Sequence, residues 1–251
     1  MPFFVHVVNI LAIGAHPDDI ELGCGGTLLK TARQGHNIYL YTLTQGGAAG
    51  QVIRRANELV NSAKFIGARV LWIDAFEDSK VYLTSELINN LEYFIVKSRA
   101  DVVYTHPLQD NHHDHRAIAE ATLEAGRFCT NIVAYENPST RNFYPSIYYD
   151  ISDVIAEKVQ LIELFGSQKS KLFITTNAIK GLAEYRAFQS RLGKTITHVE
   201  SFEALKVSFE KDLTLLKSKP ISTISETTKP GLFPRKVIEY KIPDYSTKDN
   251  A

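Results

Sequence analysis

The chain has 251 residues, 44% of them hydrophobic, and 28 Lys and Arg balance 28 Asp and Glu, so the formal net charge is zero with eight histidines uncounted. Disorder needs low hydrophobicity and high net charge, and phosphate-driven nucleic-acid binding needs a basic excess, so both are excluded. Two cysteines, Cys24 and Cys129, are too few for a disulfide framework or a four-thiolate zinc site, which points to a reducing, cytoplasmic setting.

Met1 to Ala15 is apolar, but no Lys or Arg precedes it and no run of 18 apolar residues occurs anywhere. Neither a signal peptide nor a membrane span is therefore expected. Val5 to Ala15 reads as a strand buried on both faces, as in a parallel sheet. A polar stretch, His16 to Glu21, and the glycines Gly23, Gly25 and Gly26 follow as a loop, and TLLKTARQ has helical spacing up to Gly35. Asn37 to Leu43 is the next strand, and the loop Gly46 to Gly50 leads into a helix from Val52 to Ile66 that Gly67 stops. Val70 to Ile73 is a third strand, and Leu87, Leu91, Phe94 and Ile95 form one face of a helix over Thr84 to Ser98. Asp101 to Thr105 is a fourth strand, followed by a histidine-rich loop and an Ala-rich helix from Asp114 to Phe128. Ile132 to Tyr135 continues the alternation.

Such alternation predicts an α/β fold, a single Rossmann-like, doubly wound and mainly parallel sheet with helices on both faces. With a 3-2-1-4-5 order, the first and fourth strands are neighbours where the order reverses, so the loops after Ala15 and Thr105 face each other. Beyond Pro138 the pattern weakens. Ile147 to Ile151 and Phe202 to Phe209 read as strands, Val154 to Phe165 and Ile179 to Arg191 as helices. Residues 1–217 form one domain in this reading. From Ser218, Pro, Thr, Ser and Lys dominate, and 218–251 reads as an irregular extension whose last six residues fray.

Four of the eight histidines, His106, His112, His113 and His115, fall within ten residues. The first polar cluster, His16-Pro17-Asp18-Asp19-Ile20-Glu21, stands at the end of a buried strand and can turn one nitrogen and one carboxylate oxygen toward the same ion. A catalytic zinc takes three protein ligands and keeps a fourth position for water. His16 and Asp19 supply two ligands, His115 at the mouth of the Ala-rich helix supplies the third, and Asp18 is left free to act on water. Taken alone, His-Pro-Asp is an ordinary turn with a helix cap, and a histidine run is a solvated loop. Their joint placement at two strand ends favours a metal site. The run Gly23-Cys24-Gly25-Gly26 fails the dinucleotide spacing, since residue 28 is Leu, and reads instead as close helix packing. His6, His36, His106, His113, Asp74 and Asp101 take structural readings.

The stretches GAHPDDIELGCGGTL, IRRANELVNSAKFIGA and HPLQDNHHDHRA, with STRNFYPSIYYDIS and HVESF further on, resemble the PIG-L (LmbE-like) family of zinc-dependent N-deacetylases of N-acetylated amino sugars. The resemblance spans roughly residues 8 to 205. Many members read His-Pro-Asp-Asp-Glu, whereas Ile20 precedes Glu21 here, a variant within the family pattern. The resemblance implies His16, Asp19 and His115 as metal ligands and Asp18 as general base. It further implies that His112 stabilises or protonates the tetrahedral intermediate, that Asp114 orients His112, and that Arg55 and Arg141 hold polar groups of the substrate. The cofactor implied is Zn2+, with another divalent ion such as Fe2+ as alternative. The partner is a small N-acetylated sugar or sugar conjugate, with no nucleic acid or membrane and with self-association compatible. Alternatives are a metal-dependent amidase of another acylated amine and a non-catalytic sugar-binding module on the same fold. Free, nucleotide-linked and conjugated sugars all stay open, as does whether Asp18 or His112 protonates the leaving amine.

Overall fold

Residues 10 to 13 alternate between two cores, Ile10 and Ala12 on one face of the sheet and Leu11 and Ile13 on the other. A strand buried on both faces has no polar side to show, which is why its sequence is uninterrupted apolar. The structure, a computed structural model, describes residues 7–49, 51–168, 175–209 and 237–243. Strands β1 (Asn9–Gly14), β2 (Asn37–Thr44), β3 (Val70–Phe76), β4 (Val102–Thr105) and β5 (Asn131–Tyr135) alternate with helices α1 (Asp19–Arg33), α2 (Val52–Ile66), α3 (Ser85–Ser98) and α4 (His113–Ala125). These five strands are parallel and lie in the order β3-β2-β1-β4-β5. The doubly wound sheet expected from the alternation is present, with the order reversal between β1 and β4.

The chain then adds β6 (Ile147–Asp150), α5 (Ile155–Glu163), α6 (Thr176–Ser190), β7 (Val199–Lys206) and β8 (Ile238–Lys241). Strand β7 runs antiparallel between β5 and β6, so HVESF opens a strand several residues earlier than its composition suggests. Strand β8 is antiparallel on β3 and closes the other edge. It lies inside the segment expected to be irregular. Glu239 explains its docking: one carboxylate oxygen accepts from the Trp72 indole at 2.8 Å and pairs with Lys97 at 2.5 Å. The last six residues, expected to fray, and most of the extension lie outside the described residues, as does His6. Among the described residues no helix is long and apolar enough to cross a membrane.

Helix α1 departs most from the sequence reading. It begins at Asp19 and runs through the glycines, with a kink at Cys24 (φ −137°, ψ 15°). The kink frees the amides of Gly26 and Thr27, and both donate to Glu200 of β7, at 2.8 and 2.7 Å. A β-strand side chain thus caps the second half of the helix, as an N-cap residue would. The glycines serve close packing, as their spacing suggested. A Cβ on Gly23 would lie 2.2 Å from a ring carbon of Tyr135. Helix α2 has the predicted limits, and Gly67 ends it in the left-handed conformation (φ 79°).

Candidate active site

The turn after β1 is built by its own polar groups. The His16 amide donates to the Asp19 carboxylate at 2.8 Å, and the Asp19 amide to the His16 carbonyl at 3.3 Å. Asp18 between them sits at φ 101°, in a region that costs a non-glycine residue about 1–3 kcal/mol. Arg55, from α2, holds the turn from beneath: Nη2 donates to the Pro17 carbonyl at 2.6 Å and lies 3.6 Å from Asp18 Oδ1, while Nη1 donates to the Gly46 carbonyl at 3.1 Å.

His16 Nδ1, Asp19 Oδ2 and His115 Nε2 form a triangle with all three sides 3.3 Å. Residues 16 and 19 come from the β1 loop and residue 115 from the first turn of α4, so the β1–β4 reversal is what closes it. A tetrahedral ion with bonds of about 2.0–2.1 Å spaces its ligand atoms by about 3.3–3.4 Å, the spacing already present. Two imidazoles and one carboxylate are also the donor set that zinc and neighbouring divalent ions take. The residues therefore fit a divalent metal.

Each far ring atom is held. His16 Nε2 faces Asp114 Oδ2 at 3.1 Å and Asp78 Oδ1 at 3.2 Å, and His115 Nδ1 faces Asp110 Oδ2 at 3.2 Å. Carboxylates behind ligating histidines fix the tautomer and turn a lone pair toward the ion. Asn137 donates to Asp19 Oδ1 at 3.3 Å. Burial disfavours charge on both imidazoles but is outweighed: Asp114, Asp19 and Asp78 raise His16 to about 11, and Asp19 and Asp110 raise His115 to about 9. Asp19 is held well below the usual carboxylate range by His115 and His106 against its own burial.

His112 caps α4, its Nδ1 accepting from the Asp114 amide at 3.3 Å, which leaves the proton on Nε2. Burial and the neighbouring His16 and His115 lower its pKa, so its ring is neutral near pH 7. His16, Asp18, Asp19, Arg55, Asp78, His112 and His115 line one cavity of about 420 Å³.

Three expectations change. Asp114 does not reach His112 with its carboxylate. That group accepts from the amides of Ser79 (2.9 Å) and Val81 (3.0 Å) and faces His16, because the second position of α4 points back at the β3–α3 loop. Arg55 is 1% exposed, and both its terminal nitrogens are engaged by the backbone of the turns they support. Arg141 is exposed, pairs through its backbone with Gln109, and lies outside the cavity lining. Tyr135 is fully buried and packs under α1, its hydroxyl donating to the Ile13 carbonyl at 2.7 Å.

His106 accepts from the Ala15 amide at 3.0 Å and stacks on His115 at 3.9 Å, and burial with repulsion from His115 lowers it to about 4. His113 lies against the Ser79 carbonyl at 2.8 Å, and Asp101 accepts from the Asn9 amide at 2.9 Å. Asp78, Asp110 and Asn137 went unassigned in the sequence. Asp78 and Asn137 follow β3 and β5 directly, so the rule that loops after parallel strands converge was a usable signal for both.

The sequence profile of the PIG-L family, described as GlcNAc-PI de-N-acetylase, matches residues 11–126. The uncharacterized deacetylase YaiS of Escherichia coli K12 is 36% identical over 153 residues, covering 58% of this chain and 83% of that protein. The diacetylchitobiose deacetylase of Thermococcus kodakarensis is 28% identical over 191 residues, covering 66% of this chain and 72% of that protein. In fold, the chain is similar to the 4-carboxy-2-hydroxymuconate hydratase GalB of Pseudomonas putida KT2440, with a TM-score of 0.71, 17% identity, and coverage of 83% of this chain and 100% of that one.

Proposed function

The chain belongs to the PIG-L family of deacetylases and is a hydrolase, and from that premise we propose that it uses zinc to remove the acetyl group from an N-acetylated amino sugar of the N-acetylglucosamine type. The fold alone does not select this chemistry, since a hydratase shares it. The observation that carries the reading is the 3.3 Å triangle of His16, Asp19 and His115, with Asp18 standing between two of those residues on the same turn. His16, Asp19 and His115 would hold the ion. When bound, a divalent ion there acidifies water toward a pKa of about 7 and polarises a carbonyl.

Asp18, aimed by its left-handed backbone and by Arg55, takes the proton of the attacking water. The water oxygen bonds to the acetyl carbon, and the carbonyl oxygen becomes an oxyanion. His112 meets that charge with its Nε2–H, a donor of the kind worth about 2.7–4 kcal/mol when well placed. Collapse breaks the C–N bond, and the nitrogen leaves with a proton from Asp18 or His112 as a free amine, with acetate as co-product. The buried thiols of Cys24 and Cys129 support a reducing, cytoplasmic setting.

The test joins metal analysis of the purified protein to acetate release from N-acetylglucosamine, its glycosides, diacetylchitobiose and N-acetyl amino acids. One zinc per chain and release from the sugars are expected, with both lost in His115→Ala. Full acetate release by chelator-stripped protein would overturn the assignment, and release confined to the amino acids would move it to another acylated amine.

A further inference from the structure

A second cavity, of about 220 Å³, adjoins the catalytic one, and Leu22 and Pro138 line both. Leu22 stands three residues after Asp19 on α1, so the helix face that carries the carboxylate continues into the second chamber. The far wall is α6, through Ala178, Ile179 and Leu182. That helix buries Ala183, Arg186 and Ala187 but leaves Leu182 38% exposed, an apolar surface that no other described residue covers.

The chamber also contains charges, and each cation there is already committed. Arg186 is locked to Glu136, with Nε 2.7 Å from one carboxylate oxygen and Nη2 on the other. Lys158 donates to Glu200 at 2.5 Å and to the Leu22 carbonyl at 2.8 Å. Among the described residues an entering phosphate would find no free cation and would face the two glutamates, whereas a neutral apolar group would meet Leu22, Ile179, Leu182 and Val199.

We propose that this chamber receives a neutral, apolar substituent carried on the amino sugar, so that the substrate is an aryl or short-alkyl glycoside and not a nucleotide- or phosphate-linked sugar. For scale, an apolar cavity of about 150 Å³ takes a benzene ring. With the catalytic cavity, the combined space lies within the ~300–1,000 Å³ typical of sites that enclose a small molecule. The inference rests on the deacetylase reading for the reacting end of the substrate, and on the second cavity alone for the other end.

The experiment compares N-acetylglucosamine, its phenyl and hexyl β-glycosides, and its uridine diphosphate conjugate in the zinc-loaded full chain. Acetate release is one readout. Calorimetric binding of the corresponding amine products, which needs no turnover, is the other. The phenyl and hexyl compounds are expected to exceed the free sugar by about ten- to a hundredfold in kcat/KM and in affinity, the gain from burying one apolar group. The nucleotide conjugate is expected to show no gain. Ala178→Trp, at an exposed helix position that faces the chamber, should remove the preference and leave turnover of the free sugar unchanged. Leu182→Asp should do the same through a charge. A phenyl-to-free ratio near one in the wild type, or an unchanged ratio in both variants, overturns the proposal. Aglycone-dependent binding without acetate release would uphold the chamber and count against the deacetylase reading alone.

Discussion

Replacing Arg55 with Lys separates two roles that one arginine can have beside a substrate cavity. In the structure both terminal nitrogens are engaged, with the Pro17 carbonyl at 2.6 Å and the Gly46 carbonyl at 3.1 Å, and Asp18 lies 3.6 Å away. The fit is tight on the far side as well: a Cβ on Gly46 would lie 2.4 Å from Nη1. A lysine ammonium lacks the planar fork and can satisfy one of the two carbonyls. Hydrogen bonds to charged groups contribute about 1.5–3 kcal/mol each, and an orphaned buried acceptor adds its own penalty, so Arg55→Lys should lose about 2–4 kcal/mol. For a chain of this size that corresponds to a fall in Tm of roughly 4–16 °C. The larger consequence concerns Asp18, whose strained backbone is held by that guanidinium. Displacing a catalytic group by about 1 Å costs on the order of a hundredfold, so kcat should fall by tens to a hundredfold while KM stays within about twofold. Steady-state kinetics on the best acetylated substrate and thermal unfolding of the same preparations read both effects. A KM raised tenfold or more with kcat and Tm unchanged would refute the reasoning and return Arg55 to direct substrate contact.

Asp18→Asn keeps a residue that tolerates the left-handed backbone, so the protein should fold and retain its metal while acetate release drops by about 10²–10⁴; metal content and activity measured on one sample check this, and retained activity would remove Asp18 as the base. Metal uptake should be proton-linked. His16 and His115, raised to about 11 and about 9, carry protons at neutral pH, and an ion requires the unprotonated rings. Binding of zinc to chelator-stripped protein at pH 7 should therefore release about two protons, and affinity should rise about a hundredfold per pH unit until pH passes about 9, where the His115 share ends and about tenfold per unit remains. Calorimetry in buffers of different ionisation enthalpy counts the protons, and none released would contradict the assignment. Glu200→Ala strands the Lys158 ammonium and the amides of Gly26 and Thr27, so it should cost about 3–5 kcal/mol; urea unfolding measures it, and a loss below about 1 kcal/mol would show that the kinked helix does not depend on this cap.

Helix α2 shows how much of this fold is local. Its apolar spacing begins at Val52, Gly67 supplies the left-handed stop, and nothing distant is needed to place either end. The parallel strands were readable for a similar reason, since a strand buried on both faces must be apolar along its length. The start of helix α1 is not legible in the sequence because its first turns are rich in glycine and acid. Their partners lie far along the chain: Glu200, more than 170 positions later, accepts from the amides past the kink, and Tyr135 leaves no room for a side chain at residue 23. Strand β8 escaped notice for the same reason, its partners Trp72 and Lys97 lying far up the chain.

At the site the division is similar. His16, Asp18 and Asp19 on one loop and His112 and His115 on the other are short-range patterns, and their chemistry is visible from residue type and spacing. By itself the sequence determined the alternating elements, the two reactive loops and the kind of ion they suit, all of which depend on neighbours within a few residues. Only the tertiary structure decided that Asp114 and Asp78 stand behind His16, that Arg55 supports Asp18, and that a second chamber opens past Leu22. Each of these pairs joins segments brought together by the order of strands in the sheet, and strand order is settled by how whole faces pack, which no local pattern encodes.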